Sequence, residues 1–372
     1  MIVDIKDILH KNKDIDEEYS KCFCNDLNHN IYVNKINIAV GVNTSMAIKK
    51  TGENSEKAIS EELKDSIFAI RHDILDYYGY LIPKIRIFSD DRIDKDACSI
   101  KINNMIVCNF TLRPDKIFVV FKSDKNIDYG EKVEYKEVDF YGFWISIEDK
   151  SIALKDGGRI FTVADLMSAY IRKFIEDNLG EIITRTDIEI LKEQIEVYNP
   201  AVISELENKK ISNGFILKVI KELLVEKITI KNLDYILELI CDYFDFHNDD
   251  NIKVESVIDF VRLKIFNLIV EDLYQDGLIN TIEIDNKYND SVLNWCNKTA
   301  DKKDRSVCLD LFSKVSKCIC CNNLNNKRFV FVCSKSIRKN MFNMLASMGL
   351  RVKLIAHEEI PYIINTHNIK TI

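Results

Sequence analysis

Residues 218–233, KVIKELLVEKITIKNL, contain the pattern that decides the fold. The first part of this stretch has apolar residues three and four positions apart, which is typical of an amphipathic helix. We predict that helix over Ser212–Leu224, then a short apolar connection over Ile228–Ile230, then a second helix over Leu233–Phe244. Helices joined by so short a connection pack as neighbours, so the stretch indicates a compact helical domain.

The helical pattern extends on both sides, from residue 164 to about residue 272. Thr186-x-x-Glu189 matches a capping box and predicts the start of a helix that contains Ile188, Leu191 and Ile195. Pro200 suits the first turn of the next helix, and the last helix of the region is predicted over Val254–Leu273.

Strand patterns flank the helical region. Gly79 ends a predicted helix over residues 55–78, Asn103-Asn104 suits a hairpin turn, and Lys122–Glu137 is predicted to be a loop. In the C-terminal part, a strand, a helix and a strand indicate a parallel β-α-β unit with a right-handed crossover. The predicted strands are 31–42, Lys84–Phe88, Ala97–Ile102, Met105–Leu112, Ile117–Phe121, Phe143–Ile147, Ile160–Val163, Ile279–Ile284, Arg328–Cys333 and Val352–Ala356, and short helices are predicted over Glu148–Lys155 and Lys335–Met348.

The composition excludes several classes of protein. The chain has 372 residues, of which 47% are hydrophobic and 30% charged, and its 52 basic and 59 acidic residues give a net charge of −7. A general nucleic-acid binder would be basic, so we expect no nucleic-acid partner. No window approaches the roughly 20 apolar residues of a membrane helix, and residues 1–20 have no signal-peptide core. We therefore expect a chain that stays in a reducing cytoplasm.

Motifs for common enzyme chemistry are absent. The sequence has no GxxxxGK[ST], GxGxxG, GxSxG or HExxH pattern; His357-Glu358-Glu359 begins the last of these, but Pro361 stands where its second histidine belongs. We expect no catalytic residues, no cofactor and no enzyme activity.

Eleven cysteines are present, and one group of them has spacing that suits a metal site. Cys308, Cys318-x-x-Cys321 and Cys333 could supply four thiolates to zinc, which would make the protein a zinc-stabilised regulatory or adaptor module. The group has only one CxxC, and Cys333 ends a strongly apolar strand pattern. We therefore favour structural thiols and no metal.

Several stretches, taken in order, resemble the FHIPEP family, the FlhA/InvA export gates of type III secretion, in their cytoplasmic domain. The most specific of them contains residues 218–233. It runs from Arg185 through Asn199-Pro200 to Ile236-Leu-Glu238 and aligns without gaps. The others are Ile70–Ile87 with its Gly79 and Pro83, Ser99–Pro114, Trp144-Ile145 through Gly157 to Leu166, Val332–Arg338 and Glu358–Ile360. The likeness spans about residues 31–361.

The resemblance implies a multidomain α+β and α/β fold with four small subdomains. Residues 1–30 would be a linker-like arm. The subdomains would be a thioredoxin-like one over 31–114 plus 164–182, an inserted one over 115–163, a helical, ring-forming one over 183–272, and a C-terminal β-α-β one over 273–372.

The resemblance also implies a function in protein export. Family members assemble into a cytoplasmic ring, usually of nine subunits, at the inner membrane of bacteria. The ring receives secretion chaperones with their cargo and the stalk protein of the export ATPase. Full-length members also carry membrane helices, which this sequence lacks. We therefore expect either the soluble half of a gate or a stand-alone relative that associates with membrane export components.

Two groups of residues are candidates for partner contacts by this resemblance. The chaperone pocket of flagellar members uses Asp-x-x-Phe-Gly and a Thr-His pair, where this sequence has Tyr135–Asp139 and Ala169-Tyr170. An apolar groove remains, and Phe140, Tyr141 and Tyr170 are candidate partner-binding residues, although aromatic residues in strands are more often core, as we expect for Trp144.

Arg185 and Arg262 are the candidates for the ring interface. Each occupies a position where the family's helical subdomain also has arginine. Each could pair across subunits, but we favour a solvated surface pair, which contributes about 0–1 kcal/mol. The family's Leu-Gly-Arg after the second position is replaced by Ile265-Phe266-Asn267, so ring contacts need not transfer.

Overall fold

The computed structural model describes residues 34–49, 59–121, 127–138, 140–247, 252–275, 277–323 and 328–372. The predicted arm over residues 1–30 lies outside them. In these ranges the chain forms three small sheets and a group of helices between the second and third sheets. None of the helices in the described ranges is long and apolar enough to cross a membrane.

The first sheet has the strand order β2-β1-β3-β4, with β1 and β2 parallel and the other pairs antiparallel. Asn103 and Asn104 join β3 to β4 with φ of 49° and 66°, which confirms the predicted hairpin turn. The elements of this part are β1 (Ile36–Val40), α1 (Val42–Ala47), α2 (Glu61–Tyr78), β2 (Ile85–Ser89), β3 (Ala97–Ile102) and β4 (Met105–Thr111).

Helix α2 has a clear signal at each end. The Ser60 side chain accepts a hydrogen bond from the Leu63 N–H, and Gly79 ends the helix in the left-handed conformation with φ of 76°. The Ile230 N–H then donates to the Tyr78 carbonyl at 2.8 Å. The end of α2 is therefore hydrogen-bonded to Ile228–Ile230, the short connection between the two helices predicted from residues 218–233.

The second sheet is antiparallel throughout, in the order β6-β7-β5-β8. Its strand β6 shows that the loop predicted over Lys122–Glu137 is wrong in its second half. Residues 130–135 are polar at most positions, but they pair along their whole length with β7. The elements are β5 (Ile117–Val120), β6 (Gly130–Tyr135), β7 (Phe140–Ile145), α3 (Lys150–Lys155) and β8 (Arg159–Phe161).

Helices form after the second sheet where the sequence predicts them, with two differences. The helix predicted over Val254–Leu273 is interrupted at Ile265, and the start of another helix is shifted. Thr184, not Thr186, caps the helix, since the Thr184 N–H donates to the Asp187 carboxylate at 2.7 Å. Thr184-x-x-Asp187 and Thr186-x-x-Glu189 both match the capping pattern, and the first of them forms in the structure. The helices are α4 (Val163–Asp177), α5 (Leu179–Ile182), α6 (Arg185–Glu196), α7 (Pro200–Asn208), α8 (Asn213–Val225), α9 (Leu233–Phe246), α10 (Val254–Lys264) and α11 (Phe266–Val270).

The third sheet is parallel along β12-β11-β10-β13, and β9 pairs antiparallel with β10. One face, with Ile279 and Val332, joins the core that contains the helices, and the other face packs on α12 to α14. The elements are β9 (Tyr274–Gln275), β10 (Leu278–Glu283), α12 (Asn289–Cys296), α13 (Lys302–Asn323), β11 (Val330–Cys333), α14 (Lys335–Ser347), β12 (Leu354–Ala356) and β13 (Thr366–Thr371).

A buried charge cluster, made of Glu226, Arg262, Arg338 and Glu359, joins the helices to the third sheet. Arg262 on α10 is 1% exposed, and its guanidinium bonds to Glu226 at 2.5 Å and to Glu359 at 2.7 Å. Arg338 on α14 bonds to the same Glu226 oxygen at 2.7 Å. The expected solvated pair is therefore wrong for Arg262, because its partners hold it inside the chain.

Candidate functional site

A cleft of about 400 Å³ lies between the first and second sheets. Strands β4 and β6 form its two walls, and α4 contributes to its floor. We call this space the cleft; its lining residues are Asn109, Phe110, Thr111, Arg113, Val133, Tyr135, Glu137, Trp144 and Tyr170.

Stacked aromatic rings form the floor of the cleft. The Tyr170 ring lies parallel to the Phe110 ring, with centroids 3.9 Å apart, and the Tyr135 ring meets it edge-on at 6.0 Å. Such pairs contribute about 0.5–1.5 kcal/mol beyond their buried area and hold the rings in fixed positions. The floor is therefore a rigid apolar surface.

A chain of hydrogen bonds crosses from one wall to the other. The Trp144 Nε1–H donates to the Tyr135 hydroxyl at 2.9 Å, and that hydroxyl donates to the Thr111 carbonyl at 3.1 Å. Burial raises the pKa of Tyr135 above its ordinary value, although the Trp144 donor opposes the shift. The phenol thus stays protonated at neutral pH and can keep donating.

Glu137 supplies a carboxylate at the same floor. The Tyr170 hydroxyl donates to its Oε2 at 3.3 Å, and burial together with the Glu137 charge raises the pKa of Tyr170 above its ordinary value. At the rim, Arg113 bonds to Glu131 at 2.5 Å. The cleft therefore contains aromatic rings, the exposed carboxylate of Glu137 and the backbone of β4, an edge strand of the first sheet.

The predicted aromatic residues divide between the two faces of β7. Tyr170 lines the cleft, whereas Tyr141 is 49% exposed on the opposite face of the strand. Phe140 is half-buried and packs edge-on against Phe161 at 5.0 Å, and Trp144 is core, as expected. Whether Phe140, Tyr141 or Tyr170 binds a partner stays a prediction.

Sequence reasoning misses most of the cleft. The resemblance aligns Tyr135–Asp139 with the chaperone pocket of flagellar members, but neither Tyr135 nor Glu137 was named as a partner-binding residue, and Phe110 was not considered. The sequence predicted a loop in place of β6, and nothing in it places β4 beside that segment. The alternation of Val133 and Tyr135 in residues 130–135 is the signal that could have revealed β6.

The four candidate cysteines do not form a site. Cys308 and Cys318 are ten residues apart on helix α13, which corresponds to about 15 Å, far beyond the reach of one zinc ion. Cys308, Cys318 and Cys333 are buried in the core of the third sheet, and burial raises the pKa of the Cys333 thiol to about 12. The side chain of Cys321 is outside the described part. In that part, no three acidic, histidine or cysteine side chains are placed to hold a metal. The zinc module is therefore wrong as proposed.

A second cleft, of about 570 Å³, lies where α2, α4, α8 and the third sheet meet. Charged side chains line it, and most of them bond to one another, as Arg172 does with Asp73 and Lys353 with Asp272. These pairs already neutralise each other, so the first cleft has the better features for a partner.

A model of the FHIPEP family matches residues 6–365. The chain belongs to the FHIPEP family. The match covers almost the whole sequence and confirms the resemblance on which the fold and function were expected.

Curated relatives of this FHIPEP chain are flagellar biosynthesis proteins. FlhA of Helicobacter pylori is 23% identical over 308 residues, which is 80% of this chain and 41% of that protein. FlhA of Borreliella burgdorferi is 25% identical over 253 residues, or 68% of this chain and 35% of that protein. The chain thus spans about two fifths or less of these relatives.

Several solved structures share the fold. The Chlamydia pneumoniae CdsV protein matches with a TM-score of 0.67 and 14% identity, over 92% of this chain and 98% of that one. Nonameric SctV-C from EPEC matches with a TM-score of 0.61 and 14% identity, over 91% and 98%. The predicted multidomain α+β fold is therefore confirmed.

Proposed function

We propose that this chain is the cytoplasmic part of a type III protein export gate, at the cytoplasmic face of a bacterial inner membrane. Its role is to assemble and to bind, not to catalyse. The observation that carries the proposal is the FHIPEP match over residues 6–365, together with a fold shared along nine tenths of the chain.

Self-association into a ring, of nine subunits by family resemblance, is part of the proposal. Two of the structures with the same fold are described as nonameric, those of SctV-C and of the EscV cytosolic domain. Rings of the isolated chain would form only at high concentration if membrane export components normally hold the subunits together.

The cleft is the proposed docking place for chaperone–cargo complexes. Its rigid aromatic floor has the character of interface anchors, which are enriched in tyrosine and tryptophan. A further partner is the stalk protein of the export ATPase, and the matching CdsV structure in complex with CdsO supports a bound export partner for this fold.

Two charge reversals, one inside the cleft and one on the opposite face of the second sheet, test the docking place. Glu137 lies in the cleft, whereas Glu134 is exposed and pairs with Tyr141 in the register of β6 and β7. We expect Glu137→Arg to weaken the binding of a chaperone–cargo complex from the same organism about tenfold, and Glu134→Arg to leave it unchanged.

Titration calorimetry with the purified complex measures both affinities. Equal affinity for the two variants would contradict docking in the cleft. A catalytic role would be supported instead if the chain turned over a substrate without any chaperone binding.

A further inference from the structure

Strand β4 forms one edge of the first sheet, since the strand order is β2-β1-β3-β4. This edge opens into the cleft, because Asn109, Phe110 and Thr111 of β4 all line it. The outer side of an edge strand has backbone N–H and C=O groups without a neighbouring strand, and such a row is a template for another strand. The cleft therefore presents peptide groups beside its aromatic rings.

The bonds of the neighbouring strands show which residues of β4 turn their backbone into the cleft. The Gly41 N–H, directly after β1, donates to the Ala97 carbonyl at 2.8 Å. The backbone N–H and C=O groups of Ala97 on β3 therefore point toward β1 and not toward Thr111, the residue paired with Ala97 on β4. In an antiparallel pair such residues alternate with hydrogen-bonded ones. Thr111, and Asn109 two residues before it, therefore direct their N–H and C=O groups away from β3.

Two further contacts agree with this orientation. The Leu112 N–H donates to the Asp96 carbonyl at 3.0 Å, so the next residue along faces β3. The Tyr135 hydroxyl reaches the Thr111 carbonyl from across the cleft, which requires that carbonyl to point outward. In the described part of the chain, no side chain or loop carbonyl accepts the N–H of Asn109 or Thr111.

We propose that a docked chaperone–cargo complex contributes an extended peptide segment that adds to the first sheet as a new strand beside β4. The proposal rests on the proposed function, which supplies the partner. Strand addition gives affinity through main-chain hydrogen bonds, which need no particular side chains. Such recognition would tolerate differences in the sequence of the docked segment.

The faces of β4 define the sequence that such a segment needs. Phe110 is buried on the face that meets Tyr170, whereas Asn109 and Thr111 are exposed on the other face. Residues paired across two strands share a face, so the added segment places every second side chain against the aromatic floor. The occupant is therefore a segment that alternates apolar and polar residues.

A pair of proline substitutions on the two edges of the first sheet tests the proposal. Asn109→Pro removes an N–H that faces the cleft, a change that edge strands tolerate. The matched control is Ser89→Pro on β2, because the Asp90 N–H donates to Val40 and the Ser89 N–H therefore faces away from the sheet. Thermal unfolding of both variants checks that each still folds.

We expect Asn109→Pro to weaken binding of the chaperone–cargo complex about tenfold, and Ser89→Pro to bind like the parent chain. The proposal would be overturned if both proline variants bound as the parent does. Hydrogen exchange of the parent chain gives a second test that needs no variant, since the Asn109 and Thr111 amides should exchange at least about tenfold more slowly in the complex.

The outcomes separate this proposal from the one on which it rests. If both amides keep exchanging while Glu137→Arg still weakens binding, the cleft docks its partner through side chains and the added strand is refuted. If Glu137→Arg has no effect either, docking in the cleft fails as well. If the free chain already protects both amides in a concentration-dependent manner, a second copy occupies the edge, which also refutes the proposal.

Discussion

At the scale of single residues, the buried charge cluster shows how little of a side chain's surroundings can be inferred from its position in a helix. Arg262 occupies a helical position that suggested a solvated surface pair, yet it bonds to the carboxylate of Glu226, directly after α8, and to that of Glu359 in the turn at His357–Glu359. Those partners are 36 and 97 residues away in the chain. Only the packing of the third sheet on the helices brings them together.

Glu226 is expected to stabilise the fold in a pH-dependent manner. Burial alone would raise its pKa, but the Arg262, Arg338 and Lys339 charges outweigh burial and hold the pKa below its ordinary value. A carboxylate with a lowered folded pKa contributes stability that is fully present above its unfolded pKa and is lost as pH falls through the folded pKa. We therefore expect Glu226→Gln to lower the free energy of unfolding by about 3 kcal/mol at pH 7, and by progressively less below pH about 4.5.

Urea denaturation across pH 3–7 measures this difference, with Glu61→Gln at an exposed pair as the control. The control should differ from the parent by less than about 0.5 kcal/mol. A constant difference between parent and Glu226→Gln at every pH would contradict the role given to the carboxylate.

Tyr135 is expected to matter through its hydroxyl as well as its ring. Tyr135→Phe leaves the buried Trp144 Nε1–H and the Thr111 carbonyl without their partner, so we expect unfolding to become easier by about 1–3 kcal/mol. Tyr141→Phe, on the exposed face of the same sheet, is the matched change. Chemical denaturation of both variants gives the comparison, and equal stability would show that the hydroxyl contributes nothing.

At the scale of elements, the sequence predicted those whose signals are local. Helix α2 was recognised from its apolar spacing and from Gly79, the β3–β4 hairpin from Asn103-Asn104, and helices α8 and α9 from the opening stretch. Strand β6 and the start of α6 were predicted wrongly. In β6, long-range pairing with β7 overrides a polar sequence, and at α6 two capping patterns compete.

The cleft was predictable only in part, for a related reason. Tyr170 was named because the family resemblance places Ala169-Tyr170 at the chaperone pocket, but its stacking partner Phe110 comes from a strand 60 residues earlier. Contacts between elements depend on how sheets pack, which no local pattern contains. The same limit applies to Tyr141, whose exposed face became clear only from the register of β7.

Gly79 is expected to be required at the junction of two elements. A Cβ at this position would lie 2.7 Å from the Lys231 Cα, and its φ of 76° disfavours side chains. We expect Gly79→Ala to lower the free energy of unfolding by about 2–4 kcal/mol.

Gly157→Ala separates the cost of the positive φ from the cost of the close approach to Lys231. Gly157 has a similar φ of 79° but open space around it, so this change should lower the free energy of unfolding by only about 1 kcal/mol. Thermal unfolding of both variants measures the contrast. Equal losses would show that the approach of Lys231 is unimportant.

At the scale of the whole molecule, the third sheet, the helices and the first sheet share one continuous core. A ring built from such subunits would have to use their exposed surfaces. Arg185 is exposed at the start of α6, beside Gly214, and remains a candidate for the ring interface.

We expect Arg185→Glu to shift self-association to at least about tenfold higher concentration, because it reverses the charge of a candidate interface residue. Lys64→Glu on α2, at an exposed pair, is the control. Sedimentation velocity over a concentration series measures both. A parent chain that stays monomeric throughout would contradict ring formation, and identical behaviour of the variants would exclude Arg185 from the interface.

The central claim is that the cleft receives secretion chaperones with their cargo. Photo-crosslinking in the source organism tests it most directly, with a photoreactive amino acid at position 137 in the cleft or at position 134 outside it. The account predicts that position 137 crosslinks to a secretion chaperone or its cargo, identified by mass spectrometry, and that position 134 does not. Crosslinks to these proteins from position 134 alone, or from neither position while secretion continues, would contradict it.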